Sequence, residues 1–310
     1  MMDNLENLFT KKGILLQKVA EELLFIEVNE RLPKIGDFAA KFHVGRGTVQ
    51  TVLKKLEDEN CIKLEARGHL GTFLRYKNIS NLLRFSGANQ ITSVMPLPYS
   101  KKYEGLATGI TSQFEQLGIS LNIAFMRGSK PRLHGVKDGR YDFALVSKFS
   151  AIEEMKKDRS LKIALEFGAK TYVSEHAVIF SDPEKKNMSD GMKVGIDSFS
   201  TDQQILTNAE VQGLNNIQYL EFNYMHLLQH LKAQTVDAMI WNVDEINHSA
   251  YNIQPLTSPL ALQFEKHMNE AVCVIRSENR KMEYILHHLS LTRIVETQTK
   301  VVNGDLIPKY

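Results

Sequence analysis

Leu32 to Leu74 reads LPKIGDFAAKFHVGRGTVQTVLKKLEDENCIKLEARGHLGTFL, and its apolar spacing lays out two helices and a hairpin. Ile35, Phe38, Ala39 and Phe42 recur at helical intervals, and His43-Val44-Gly45 makes a tight turn behind them. From Arg46 a second helix carries Val49, Val52, Leu53 and Leu56, the i, i+3, i+4, i+7 pattern of one buried stripe. Its other face shows Gly47, Gln50, Thr51, Lys54 and Lys55. That face is small, polar and basic, and it suits a DNA groove. Two strand-like runs follow, Ile62-Lys63-Leu64 and Thr72-Phe73-Leu74, around a glycine-rich loop tipped by Arg67 and His69. Paired amphipathic helices are common in proteins that never touch DNA. A hairpin directly behind the second helix is not, and it turns the reading to a winged helix-turn-helix.

On that reading, Lys34, Arg46, Thr48, Gln50, Thr51, Lys54, Arg67 and His69 are the expected DNA contacts. Gln50 can pair with adenine N6/N7, and Arg46 with a phosphate or a guanine. The wing residues would reach the minor groove or the backbone.

The block resembles the winged-helix domain of GntR-type bacterial transcription regulators. The matching positions are Leu32-Pro33, Phe38-Ala39, Val44, Arg46, Thr48-Val49, Leu53, Leu56-Glu57, Ile62 and Gly71-Thr72-Phe73. It departs at Gly45, usually Ser, at Gln50, usually Arg, and at Lys34-Ile35-Gly36, usually Ser-Glu-Arg. The Arg46–Gln50 and Gly68–Phe73 spellings are more similar to the YhfZ-like branch. The resemblance implies a homodimer acting on a double-stranded operator and carrying an effector domain.

A chain of 310 residues suits two domains, and 43% hydrophobic with 24% charged residues is ordinary globular composition. The expected division is a DNA-binding head over 1–77, a linker over 78–90 and an effector domain over 91–310. The formal net charge is +2, yet Lys34 to Lys77 carries about +4, a modest footprint for nucleic acid. Cys61 and Cys273 stand apart from any CxxC or His/Cys spacing, so buried thiols are expected and metal ligation is not. The first residues lack the basic and apolar regions of a signal peptide, and no apolar run approaches a membrane span. A cytoplasmic protein without a membrane partner is the expectation.

Ahead of the block, Gly13 to Glu30 reads as an amphipathic helix, with Thr10 as a candidate cap. Beyond Ser86-Gly87-Ala88-Asn89, strand and helix signals alternate. Expected strands are Ile91–Met95, Leu121–Phe125, Phe143–Val146, Tyr172–Phe180, Met192–Ile196, Ile217–Phe222, Asp237–Trp241 and a return strand Ala271–Ile275. Expected helices are Lys101–Leu117, Pro131–Asp138, Gln203–Glu210, Met225–Lys232 and a terminal one over Lys281–Leu291. Alternation of this kind predicts parallel βαβ units. Asp138 to Ser147, a helix dropping through a tight turn into a buried strand, resembles the type 2 periplasmic-binding-protein fold of LysR-type effector domains. Val236 to Asn242 repeats the phrase. The resemblance implies a two-lobed α/β effector domain.

Ligands of open α/β sheets sit beyond the carboxyl ends of strands, where helix N-termini point. Those ends give Tyr99, Ser100, Arg127, Ser129, Lys130, Ser147, Ser198, Ser200, Thr201 and Asn242 as candidate ligand residues. Helix caps use the same residue types, which is the plainer explanation for any one of them. Hydroxyls, amides and the cations Arg127 and Lys130 suit a small, polar, anionic metabolite. The alternative is an enzyme or metabolite-binding protein whose winged helix serves protein contacts. It finds little support: no G-x-G-x-x-G follows a strand, Walker A and H-E-x-x-H are lacking, and His287-His288 diverge on one helix. No cofactor is expected.

Overall fold

The computed structural model describes residues 11–223, 226–244, 246 and 250–310. The chain divides into two compact units, the stretch up to Ile91 with 114–121, and 92–113 with 122–310.

The first unit holds α1 (Lys11–Leu24), α2 (Ile35–Lys41), α3 (Arg46–Asp58), β1 (Ile62–Ala66), β2 (Thr72–Lys77) and α4 (Ile79–Phe85). Val49, Val52, Leu53 and Leu56 of α3 are buried, with Leu15, Val19 and Leu23 of α1 and Phe38 of α2. The tight turn is real: His43 sits at φ 53°, and the Val44 N–H closes back on the Ala39 carbonyl. Helix α1 stops at Leu24, short of the predicted Glu30, because its following backbone is recruited by the wing. Asn29 N–H donates to the Leu74 carbonyl, Leu74 N–H to Glu30 and Leu32 N–H to Thr72. A backbone group held by a sheet cannot also serve a helix. The candidate cap Thr10 lies outside the described residues. Segment 78–90 contains α4, which Asn78 caps and which packs on α1.

The second unit is built from β3 (Gln90–Met95), α5 (Lys101–Gln116), β4 (Ser120–Phe125), α6 (Ser129–Lys137), β5 (Phe143–Ser147), α7 (Lys148–Met155), β6 (Leu161–Glu166), β7 (His176–Phe180), β8 (Lys193–Ile196), α8 (Thr201–Glu210), β9 (Gln218–Glu221), α9 (Leu227–Lys232), β10 (Ala238–Asn242), β11 (Asn252–Pro255), α10 (Pro259–Met268), β12 (Ala271–Arg276), α11 (Arg280–His287) and α12 (Leu291–Asn303). The division between units runs through β3, α5 and β4, whose ends fall with the first.

Two five-stranded sheets result, in the orders β4-β3-β5-β12-β6 and β11-β7-β10-β8-β9. The chain crosses from one to the other before β7 and returns before β12. Both crossing strands enter antiparallel, β7 beside β10 and β12 beside β5, so the sheets are mixed and not purely parallel. β3 with β5, and β8 with β9 and β10, keep the predicted parallel sense.

The repeated phrase has a structural cause. In the first lobe the Asp142 carboxylate accepts from Thr92 N–H at 2.8 Å, while Asp142 N–H donates to the Thr92 carbonyl. In the second, the Asp237 carboxylate accepts from Lys193 N–H at 2.7 Å, and Asp237 N–H donates to the Lys193 carbonyl. Each aspartate thus clamps the start of the neighbouring parallel strand. The strands behind them, β5 and β10, are buried at every position. In the second lobe their alternation feeds two cores. Val178, Phe180, Ala238 and Ile240 pack one side, and Ile179, Met239 and Trp241 pack the other.

The run predicted as one strand from Tyr172 begins only at His176. Tyr172 N–H is taken by the Asn269 carbonyl and Ser174 N–H by the Asp244 carboxylate, which holds the crossing segment in a loop. The helix predicted as terminal ends at His287, and Ser290 caps α12 after it. Met225, the predicted start of α9, lies outside the described residues. Cys61 and Cys273 are buried, and burial raises the Cys61 thiol to about 11.

Helix α12 docks on two glycines of α5. A Cβ at Gly105 would come within 2.8 Å of Gln298 Cα, and one at Gly109 within 2.9 Å of the Ile294 carbonyl oxygen. Gly47, on the exposed face of α3, would meet nothing within 4 Å. Glycine to alanine inside a helix ordinarily stabilises by about 1 kcal/mol, whereas overpacking costs roughly 1–3 kcal/mol. Urea unfolding should therefore show opposite signs. Gly47→Ala is expected to gain stability, and Gly109→Ala to lose it.

Candidate functional site

In the first unit, helix α3 starts from Gly45, an N-cap with no side-chain acceptor. Its exposed face presents Gly47, Gln50, Thr51, Lys54 and Lys55, as the helical spacing required. Thr51 Oγ1 donates back to the Gly47 carbonyl at 2.9 Å, and Lys55 is engaged by Glu59 at 2.6 Å. Arg46 is exposed, with its guanidinium beside Gly36, and Thr48 is half-buried. A groove between α3, the segment before α2 and the wing gathers Lys34, Gln50 and Lys54, together with the acidic Glu57 and Asp58. In the wing, Arg67 lies over the Phe73 ring at 5.0 Å and pairs with Glu65, which also holds Arg75 at 2.6 Å. His69 sits exposed in a short 3-10 turn at the wing tip.

In the second unit the carboxyl ends of the parallel strands face one cleft. Its cavity volume is about 70 Å³. Contacts between described residues cross it. Arg127 Nη2 donates to Asp197 Oδ1 at 3.2 Å, and the same guanidinium lies over the Phe199 ring at 4.6 Å. Ser129 Oγ meets Thr201 Oγ1 at 3.2 Å, and Ser150 Oγ meets Asp202 Oδ1 at 2.7 Å. Gly128, at φ +79°, lets the loop before α6 approach the Phe199 backbone so closely that a Cβ would meet that carbonyl oxygen at 2.5 Å.

The walls carry distinct chemistry. One is apolar and aromatic, with Tyr103 5.2 Å from Tyr99 and 5.1 Å from Tyr172. Burial raises the Tyr99 and Tyr172 phenols, so both are neutral donors at ordinary pH. Another wall is ionic. Arg132 is 3% exposed and donates to the Met126 carbonyl and Tyr172 Oη, both at 2.9 Å. Its Nε has no partner, and among the described residues no carboxylate lies within 4 Å of it. Burial pushes the Asp202 carboxyl above its usual range, against hydrogen bonds from Ser147 and Ser150 and the charges of His176 and Arg132. His176 lies 3.5 Å from Glu265, which also takes its backbone N–H.

Of the ligand residues named from sequence, the cleft brings together Tyr99, Arg127, Ser129, Ser200, Thr201 and Asn242. Ser200 also caps α8 through Gln203 N–H. Ser100 and Ser147 are buried caps of α5 and α7 and do not line the cleft. Ser198 bonds the Glu221 carboxylate outside it, and Lys130 is exposed. Arg132, Ser150, His176 and Tyr172 line the cleft without having been named, as does Asp202 beside the named Thr201. Helical spacing carried part of that signal: Arg132 is i+3 from Ser129 and Ser150 is i+3 from Ser147, hence on the same faces. His176 pairs with Asn242 across β7 and β10, which only the topology reveals. Among the described residues no group of three or more His, Cys, Asp or Glu could hold a metal, and no helix is long and apolar enough to cross a membrane.

Residues 28–74 match a helix-turn-helix domain and residues 78–310 the YhfZ C-terminal domain. The chain is 34% identical to YhfZ of Escherichia coli (strain K12) over 305 residues, 97% of this chain and 98% of that protein. A crystal structure of YhfZ from Shigella flexneri aligns with TM-score 0.62 at 34% identity, over 74% of this chain and 97% of that one. The substrate-binding protein of a methionine transporter from Streptococcus pneumoniae aligns with TM-score 0.50 at 11% identity, over 72% and 96% of the two chains, a likeness of fold. A helix-turn-helix head followed by a mixed α/β domain of the type 2 periplasmic-binding-protein fold, matched along nearly its whole length by YhfZ, makes this chain a member of the YhfZ family.

Proposed function

We propose that this protein is a cytoplasmic, GntR-like transcription regulator, a homodimer whose winged helix binds an operator and whose two-lobed domain senses a small, polar, anionic metabolite. The observation that carries the reading is the exposed face of α3, polar and basic, set beside a wing with a basic tip. Phosphates hold such a head in place and base edges give it selectivity. Gln50, mid-face and exposed, reads the groove as an adenine-pairing amide. Lys34, Arg46, Thr48, Thr51 and Lys54 position it, while Arg67 and His69 follow the adjacent backbone. Gly45 leaves the first turn of α3 without a side-chain cap, and such N–H groups are suited to a phosphate.

The metabolite reading rests on the cleft, where Tyr99, Arg127, Ser129, Ser200, Thr201 and Asn242 converge from both lobes with Arg132, whose Nε has no partner among the described residues. Ligand binding acts by favouring closed lobes over open ones.

Three measurements test this reading. A gel shift on the promoter region of the protein's own operon should show binding that weakens as salt rises. In a binding-site selection, Gln50→Ala should relax preference at one base pair, at a cost of about 1–3 kcal/mol on the preferred site. Lys54→Ala should weaken all sequences alike and lower the salt slope by about 1. Absent or salt-insensitive binding would refute the DNA role.

A further inference from the structure

The cleft contains an unbroken row of hydroxyls that ends on a buried acid. Asp202 Oδ1 lies 2.7 Å from Ser150 Oγ, Ser150 Oγ lies 3.0 Å from Ser129 Oγ, and Ser129 Oγ lies 3.2 Å from Thr201 Oγ1. Ser150 and Ser129 are 3% and 7% exposed, so water does not interrupt the row, and Thr201 stands at its cleft end. We propose that the cleft takes its ligand as a small carboxylate seated between Thr201 and Arg132, and that Asp202 takes up one proton from solvent as the ligand binds. The inference rests on the reading of this cleft as the effector site.

Each hydroxyl has one proton to donate. An ionised Asp202 only accepts, so Ser150 must aim its proton at Asp202, Ser129 at Ser150 and Thr201 at Ser129. The row then shows the cleft nothing but lone pairs, and a carboxylate oxygen arriving at Thr201 meets an acceptor. A protonated Asp202 donates to Ser150 and still accepts from Ser147 on its other oxygen. Every link reverses, and the Thr201 O–H is released to donate to the ligand. One O–H bond forms at Asp202 with a proton from water, and the rest is rotation of hydroxyls.

The charges of the cleft favour the same state. Arg127 and Asp197 neutralise one another across it. Arg132 has no carboxylate within 4 Å among the described residues, and its Nε is buried without a partner. With Asp202 neutral, one positive charge is left for a monoanion. A guanidinium fork matches the plane of a carboxylate. The groups facing Asp202 are Arg132 on α6, Ser147 and Ser150 around the start of α7, His176 at the head of β7, and Tyr172 and Tyr99 on their loops. Arg132 and His176 favour its ionised form and burial disfavours it, with burial the larger influence.

The test uses the full chain. Thermal shift at about pH 5.5 and 8 is run with acetate, lactate, L-alanine and L-methionine, against inorganic phosphate and methylamine, since binding to the folded state raises the midpoint. The strongest binder is then titrated calorimetrically in two buffers of different ionisation enthalpy. The expected result is a carboxylate that binds with uptake of about one proton and loses roughly tenfold in affinity per pH unit at the alkaline end. Asp202→Asn, whose amide donates permanently to Ser150, should flatten that pH dependence, and His176→Gln should leave it in place. Thr201→Val should weaken binding at least tenfold.

Stabilisation by phosphate or methylamine alone, or by no carboxylate, overturns the proposal. A carboxylate bound without proton uptake, yet lost in Thr201→Val, overturns the role of Asp202 and leaves the cleft standing. A carboxylate bound equally well by Thr201→Val and Arg132→Gln places the site elsewhere and removes the cleft reading itself. The free protein supplies a check on folding. A carboxyl raised above its ordinary 3.8 lends stability at low pH that is lost as pH climbs through the folded value, so Asp202→Asn should gain on wild type as pH rises. If Asp202→Asn fails to melt cooperatively, Ser150→Ala cuts the row while keeping the acid. It should shrink the linkage to what the charge of Asp202 alone supplies, and a linkage as large as in wild type counts against the row.

Discussion

Asp142 and Asp237 each clamp a backbone N–H in the first half of a neighbouring parallel strand, and the geometry of the cleft depends on those two clamps. A parallel pair has no hairpin to set its register, so something else must. Here a carboxylate at the entrance of each central strand does so, from opposite lobes. With register fixed at one end, the other ends of β5 and β10 fall where Ser147 can cap α7 and where Asn242 can enter the cleft. The helix N-termini that follow then converge. A slip of one residue would turn β10 inside out and exchange the side chains of its two cores.

Much of this was legible from residues alone because the relevant patterns are local. The stripe of Val49, Val52, Leu53 and Leu56 needs no tertiary information, nor do the continuous apolar runs of β5 and β10. The parts that misled are those where a distant backbone competes. Helix α1 looks longer in sequence than it is because Asn29 and Leu32 are claimed by β2, some forty residues on. Tyr172 to Glu175 has strand composition, yet Asn269 and Asp244 hold it as a crossing loop. The return of β12 turns a predicted parallel sheet into a mixed one.

The same contrast governs the cleft. Strand ends and caps are visible from spacing, which is why Ser129, Ser200, Thr201 and Asn242 could be named. A buried arginine one turn into α6, or an acid in the first turn of α8, reads in sequence as helix surface and dipole complement. Only the packing of α6, α7 and α8 reveals that Arg132 and Asp202 are enclosed. Lys130, next to both a named serine and the cleft, points outward because adjacent residues on a helix diverge by about 100°. Composition pointed to the strand ends, and helix phase decided which of their residues line the cleft.

The contacts across the cleft also set how much work a ligand must do. Arg127–Asp197 is a pair with one partner partly exposed, the kind worth about 0–1 kcal/mol. The two hydroxyl contacts, Ser129 with Thr201 and Ser150 with Asp202, contribute about 1 kcal/mol each. These three hydrogen-bonding contacts together are worth roughly 2–3 kcal/mol, beside the Arg127–Phe199 stacking and the apolar Phe149–Phe264 contact. A ligand binding at micromolar affinity brings about 8 kcal/mol. Even half of that, realised only when both lobes engage, would outweigh the contacts the cleft has without it. The polar contacts of the cleft are thus weak enough for a small molecule to outweigh, while Phe149 of α7, packed on Phe264 of α10 in the core of the second lobe, joins the lobes beside it.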